Sequence, residues 1–175
     1  MKELLARHNL FHVPDNLDFR NAVVAIIVLD DGRYLMQLRD DKPRIFYPDC
    51  WGLFGGGVEA GEEPEAALRR ELMEELALEP GALTYFTRMD FDFQRFGAGT
   101  LYRIYYEVPL AAAALPSLRL GEGRLMEPLV LGDILVDKRV VPYDAFALWL
   151  HYADGRSGRA QPPNSVQRQS ERDDR

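Results

Sequence analysis

The sequence predicts an α/β (α+β) layered domain, and three observations carry that prediction. Short apolar or alternating runs rich in β-branched and aromatic residues recur along the chain. Two segments show helical composition behind a proline, and glycine-bearing turns separate the elements. Strands interspersed with helices bury their apolar faces as layers around one core. At 175 residues the chain fits one domain with an appendage.

Ala22 to Leu29 (AVVAIIVL) reads as a buried strand, Asp30-Asp31-Gly32 as a turn, and Arg33 to Arg39 as the partner strand of a hairpin. A polar, proline-bearing loop follows from Asp40 to Pro48, then Trp51 to Phe54 and three glycines, Gly55 to Gly57. Such a glycine cluster marks a backbone that turns sharply or comes close to something. Pro64 to Ala77 (PEAALRRELMEELA) reads as a helix, with Leu68, Leu72 and Leu76 as its buried stripe. Met89 to Phe96 and Thr100 to Val108 form an antiparallel pair across Gly97-Ala98-Gly99. The form of Leu110 to Leu120 is left open, and Leu125 to Leu135 contains a further strand. Pro142 to Tyr152 reads as a second helix that stops at Gly155. Residues 1–154 therefore form the domain, and 155–175, polar and poor in core formers, read as a disordered tail.

Hydrophobic residues make up 47% of the chain, ordinary for a protein with a real core. No segment has the ~20 uninterrupted apolar residues of a membrane helix, and the first ten residues lack the apolar stretch of a secretory signal. The single cysteine, Cys50, makes no internal disulfide and reads as a small buried hydrophobe. His8, His12 and His151 have no metal-ligand spacing. A cytoplasmic protein is the expectation. The net charge of −7 argues against a nucleic-acid surface, which rests on clustered Lys and Arg.

The acid is not spread evenly. Residues 59–79 hold eight Glu against two Arg. Most such runs are solvated helix faces. Here, however, Glu71, Glu74 and Glu75 fall on adjacent positions of one helix face beside the leucine stripe. Only Arg70 is placed to offset one of them, by an i,i+4 contact with Glu74. Hard oxygen ligands at this density suit Mg²⁺ or Mn²⁺.

Gly56, five residues, Glu62, seven residues, then Arg70-Glu71-Leu72-Met73-Glu74-Glu75-Leu76-Ala77-Leu78 resembles the Nudix box, G-x5-E-x7-R-E-U-x-E-E-x-G-U with U bulky and aliphatic. Ala77 stands where the family has glycine, which suggests a small change in how the helix ends with the chemistry kept. The box covers Gly56 to Leu78, and the order of strands and helices resembles the family from about Ala22 to about Tyr152.

The resemblance implies an α/β/α sandwich with a mixed central sheet and flanking helices. It also implies hydrolysis of the diphosphate linkage of a nucleoside diphosphate derivative by water attack at phosphorus. Glu71 and Glu75 would be the main ligands of Mg²⁺ (or Mn²⁺), Glu74 would serve a second metal or a metal-bound water, and the Gly55 carbonyl would also coordinate. Glu62 and Gly56 would support the loop and helix, and Arg70 would orient the carboxylates. In several family members the general base is a glutamate on a distant loop. Glu122, in Leu120-Gly121-Glu122-Gly123-Arg124, has that setting, with Glu107 and Glu127 behind it.

Arg39 and Arg44 flank the loop leading to the box and are candidates to grip phosphates. Phe46 and Tyr47 can stack on a base or simply pack, and Trp51 reads as a core anchor. The proline that ADP-ribose-specific members carry downstream of the box is not found, since that neighbourhood reads Asp92-Phe93-Gln94. The signatures of the NADH-cleaving and coenzyme A groups are missing too. A nucleoside triphosphate, a sugar nucleotide or a dinucleoside polyphosphate remains, acted on by a monomer or a homodimer. Two alternatives stand beside this reading. One is a nucleotide-sensing Nudix module without catalysis, which typically lacks box carboxylates. The other is a diphosphate isomerase of the same fold, whose cysteine follows the tryptophan, whereas Cys50 precedes Trp51.

Overall fold

A computed structural model describes residues 19–42 and 45–155. Arg44, His8, His12 and nearly all of the proposed tail lie outside the described residues. The elements run β1 (Ala22–Leu29), β2 (Tyr34–Leu38), β3 (Trp51–Gly52), α1 (Pro64–Leu76), β4 (Thr84–Asp92), β5 (Thr100–Leu110), β6 (Leu125–Leu129), α2 (Leu131–Asp137) and α3 (Pro142–Ala153). One six-stranded sheet has the order β3-β2-β1-β5-β4, with β6 paired to β2. It is mixed: β1 runs parallel to β5, and the other pairs are antiparallel.

Every residue of β1 is buried, because the sheet is covered on both faces. Alternate residues divide between two cores. Val23, Ala25 and Ile27 meet Ala67, Leu68, Leu72 and Leu76 of α1. Val24, Ile26 and Val28 meet Ile134 of α2 and Ala147 and Leu148 of α3. The leucine stripe read from the sequence is thus the buried face of α1, and the architecture is the sandwich that was expected.

Some boundaries differ from the sequence reading, and the segment left open takes a definite form. β4 begins at Thr84 rather than Met89 and ends before a short 3₁₀ turn at Gln94–Phe96. Pairing with β5 extends it past the alternating stretch, across a register shift between Tyr85 and Thr87. Leu125 to Leu135 holds a strand only as far as Leu129 and then turns into α2, a helix with no side-chain cap to announce it. Leu110 to Leu120 contains a 3₁₀ segment at Ala112–Ser117.

α1 ends otherwise than the alanine suggested. Ala77 takes the left-handed conformation (φ 51°, ψ 35°) that glycine favours. The Ala77 N–H donates to the Met73 carbonyl at 3.0 Å, and the Leu78 N–H to the Leu72 carbonyl at 3.1 Å. This is the closing pattern of a glycine-terminated helix, kept at a cost of about 1–2 kcal/mol for the Cβ.

Candidate active site

The loop between β3 and α1 lies against β1, and glycine is what lets it. Gly55 has φ +130°, and a Cβ there would run into the Val23 carbonyl. A side chain on Gly56 would occupy the space of the Glu71 carboxylate. The Val23 N–H donates to the Gly56 carbonyl at 3.0 Å and the Ala25 N–H to the Phe54 carbonyl at 2.8 Å, so the loop is pinned as an irregular extra strand. The Gly57 carbonyl accepts from Arg70 Nη2 at 2.9 Å. Among the described residues the Gly55 carbonyl accepts no hydrogen bond from the protein, which leaves it as the loop's open oxygen.

Arg70 ties loop to helix. Its Nε and Nη2 donate to the two oxygens of Glu62 at 3.0 and 2.9 Å, and its Nη1 donates to Glu71 Oε1 at 2.7 Å. This fork-on-fork contact fixes direction as well as charge. It holds the Glu62 carboxyl below its ordinary range, helped by the Glu59 amide. The i,i+4 contact of Arg70 with Glu74, expected to be the main one, is only a 3.8 Å approach. Glu74 faces outward, 62% exposed, because helix geometry turns it away once Glu71 and Glu75 face the loop.

Glu75 points inward and is 7% exposed. The Gly55 N–H donates to its Oε2 at 2.8 Å, and Gln37 Nε2 lies 3.5 Å from Oε1. Burial pushes this carboxyl up to about 7 despite those two donors, and the like charges of Glu71 and Glu122 add to the rise. Burial also raises Glu71, against the guanidinium of Arg70. Two carboxylates pressed together with incomplete compensation are what a cation relieves.

Glu122 reaches this place through backbone contacts. The Arg119 and Gly121 N–H groups donate to the Leu76 and Glu75 carbonyls at 3.0 and 2.7 Å, satisfying the open end of α1. Gly121 passes so close that a Cβ would strike the Glu74 carbonyl. The Arg124 N–H donates to the Leu38 carbonyl at 2.8 Å. Glu122 therefore lines a small pocket with Gln37, Arg39, Asp40, Lys42 and Glu75. Glu107 and Glu127 lie elsewhere, Glu107 beside buried His151 at 3.1 Å and Glu127 by Lys138 at 3.9 Å.

Arg39 borders both that pocket and a larger cleft, with its Nε donating to the Phe46 carbonyl at 3.2 Å. The cleft, about 230 Å³, is lined by Gly55 to Gly57, by Phe19, Phe46, Phe91, Phe93 and Tyr143, and by Arg20, Arg39 and Arg103. The Arg103 guanidinium lies 4.3 Å from the centroid of the Tyr143 ring. Behind it lies Asp144, 2% exposed, which accepts from the Leu53 N–H and the Tyr105 hydroxyl at 3.1 Å each. Burial raises the Asp144 carboxyl, and Arg103 opposes that rise. Tyr47 packs on Tyr143, and Trp51 and Cys50 are buried, as core residues.

Sequence reasoning missed Gln37, Arg103, Tyr105, Tyr143 and Asp144. Arg103 sits in a strand read only from its richness in strand formers, where a single arginine does not stand out. Asp144, in the first turn of a helix, looks like an ordinary helix-dipole acid. Neither carries a local signal.

Among the described residues no three carboxylate, imidazole or thiol side chains form a closed metal cage. The donors present still fit a hard divalent cation that keeps several waters. Glu75 accepts from the Gly55 N–H and Glu71 lies against Gly56, while Glu74 is exposed.

An α/β/α sandwich with a mixed sheet, presenting inward carboxylates against a glycine loop, defines the class of fold. Residues 18–124 match the family model described as NUDIX domain, and the chain belongs to that family. The nucleoside triphosphatase NudI of Escherichia coli O139:H28 (strain E24377A / ETEC) is 45% identical over 58 residues, 33% of this chain and 40% of that relative. The match thus spans well under half of its length. The MutT NUDIX hydrolase from Burkholderia pseudomallei superposes with a TM-score of 0.59 at 25% identity, covering 74% of this chain and 95% of that one. The MutT protein from Methanosarcina mazei Go1 gives 0.61 at 20% identity, with 82% and 99% covered.

Proposed function

We propose that this chain is a divalent-metal-dependent pyrophosphohydrolase that cuts the diphosphate linkage of a nucleoside diphosphate derivative. The observation that carries the reading is the pair Glu71 and Glu75, turned onto the Gly55–Gly57 loop with too little positive charge beside them. Similarity to a nucleoside triphosphatase favours a nucleoside triphosphate over a sugar nucleotide or a dinucleoside polyphosphate.

Glu71, Glu75 and the Gly55 carbonyl would hold Mg²⁺ (or Mn²⁺), with Glu74 serving a second ion or a bound water. When bound, the metal neutralises the diphosphate and lowers the pKa of the attacking water. The protein's own groups do the rest. Arg70 keeps Glu71 in place and locks the loop to α1 through Glu62 and Gly57. Arg39, at the junction of the two cavities, is positioned for a phosphate oxygen. Glu122, overhanging Glu75, is the proposed general base that takes the proton from water as it attacks phosphorus. The domain would comprise residues 1–154 with 155–175 as an appended tail, working in the cytoplasm as a monomer or a homodimer. No helix among the described residues is long and apolar enough to cross a membrane.

The test is a panel of nucleoside triphosphates, sugar nucleotides and dinucleoside polyphosphates, assayed for phosphate and pyrophosphate release with Mg²⁺ and again with chelator. Metal-dependent turnover of at least one class is expected. Tight nucleotide binding without any turnover would replace this reading with a sensor module.

A further inference from the structure

The helix α3, PYDAFALWLHYA, is apolar nearly all the way round. Asp144, its only Asp, Glu, Lys or Arg, is buried together with Ala147, Leu148 and His151. The opposite side faces water through Phe146, 53% exposed, Trp149, 52% exposed, and Tyr152. Phe146 and Trp149 stack, with centroids 6.2 Å apart and planes inclined by 15°. A surface helix ordinarily turns polar residues outward, and one that is hydrophobic all round is covered. The described residues leave this face open.

The point where the chain enters the fold bears on what covers it. Phe19 packs on Phe93 at 5.1 Å between centroids, Phe93 on Phe91 at 6.2 Å, and Phe91 on Tyr143 at 5.8 Å. That row of rings ends on the first turn of α3. From Tyr143 onward Phe146, Trp149 and Tyr152 continue it as one i, i+3 ridge. Residues 1–18, outside the described residues, therefore join the fold at one end of an uncovered aromatic ridge. They carry Met1, Leu4, Leu5, Leu10, Phe11 and Val13. Met1, Leu4, Leu5 and Phe11 stand at the three-, four- and seven-residue spacings of a single apolar face. Reach is sufficient, because Tyr152 lies about 14 Å along α3 from Tyr143, and the stretch from Leu10 to Phe19 can span ~30 Å.

Other occupants fit less well. Residues 156–175 leave from the far end of α3 but offer only Ala160, Val166 and two prolines as apolar groups. A second copy would meet three half-exposed rings, on the order of 300 Å², well short of the ~800 Å² per partner of a stable interface. A tethered segment is held at an effective concentration of about millimolar and needs no such area. We infer that residues 1–18 of this chain lie back along α3, with Leu4, Leu5, Leu10 and Phe11 over Phe146, Trp149 and Tyr152. The contact is separate from the chemistry at Glu71 and Glu75, so its test needs no turnover.

The experiment uses the full chain, whose two tryptophans differ in setting. Trp51 is buried within the sheet, and subtracting the signal of a Trp149→Phe chain isolates Trp149. Combining Leu4→Ser, Leu5→Ser, Leu10→Ser and Phe11→Ser should raise acrylamide quenching of Trp149 by about threefold or more. In the unmodified chain that quenching should stay unchanged on dilution. Equal quenching in the two chains overturns the inference. Shielding that is lost on dilution together with a dimer mass assigns the face to a second copy and also overturns it. If the serine variant does not fold, Trp149→Arg decides from the other side. Hydrogen exchange at the amides of residues 4–11 should then speed up by about tenfold or more, and unchanged exchange overturns the inference.

Discussion

On one side of the cleft, a single stretch of chain from Gly55 to Glu75 supplies glycines, an arginine and carboxylates, with Arg70 bonded to Glu62, Glu71 and Gly57 and Gly55 bonded to Glu75. On the other side, aromatic rings and a half-buried arginine come from β4, β5, α3 and two loops that are distant in sequence. The first wall is dense in negative charge and short of compensation. The second joins aromatic rings to the guanidinium of Arg103, with buried Asp144 behind it, and Arg20 and Arg39 also border the cleft. The difference separates two jobs. A cluster of hard oxygens can act on any diphosphate, whereas a wall of aromatic rings and guanidinium groups can tell one attached group from another. Changes to the first wall should therefore alter rate, and changes to the second should alter which substrate is used.

The largest effect expected from a single change falls on the frame of the aromatic wall. Asp144→Ala strips the acceptor from the Leu53 amide and the Tyr105 hydroxyl and removes the buried carboxylate whose charge favours the Arg103 guanidinium. Stability should fall by about 2–4 kcal/mol, read from urea unfolding. A loss under half a kilocalorie, on the order of a surface substitution, would mean that the buried network is not what holds this wall.

A smaller effect, of opposite sign, belongs to the end of α1. Ala77→Gly relieves a left-handed alanine and should stabilise by about 1 kcal/mol. The melting temperature should then rise by a few degrees with turnover unchanged. No gain would show that the helix end relaxes once the strain is tested.

The smallest concerns the tail. Removing Arg156 to Arg175 should leave the melting temperature nearly unchanged, since those residues offer little apolar surface to bury. A fall of many degrees would attach that segment to the domain.

The two walls were not equally legible beforehand. Gly56, Glu62, Arg70, Glu71 and Glu75 act together because they are close in sequence, so fixed spacing discloses them. Arg103, Phe91 and Tyr143 meet only after β4, β5 and α3 have packed, and each resembles an ordinary strand or helix residue when read alone. Glu122 lies between these cases. Its loop suggested a base, but only the capping of α1 by Arg119 and Gly121 brings it over Glu75. Glu74 shows the limit of periodicity, because a shared helix face did not mean a shared direction: Glu75 went in and Glu74 went out. The short helix α2 was hidden since nothing caps it and it follows a strand directly.

The most direct measurement compares the unmodified chain with Glu75→Gln, a change that keeps shape and removes a carboxylate from the glycine loop. With Mg²⁺ and whichever triphosphate is turned over fastest, kcat should fall by more than tenfold while the circular dichroism spectrum stays the same. Unchanged hydrolysis in that variant would contradict the assignment of the glutamate pair to the chemistry.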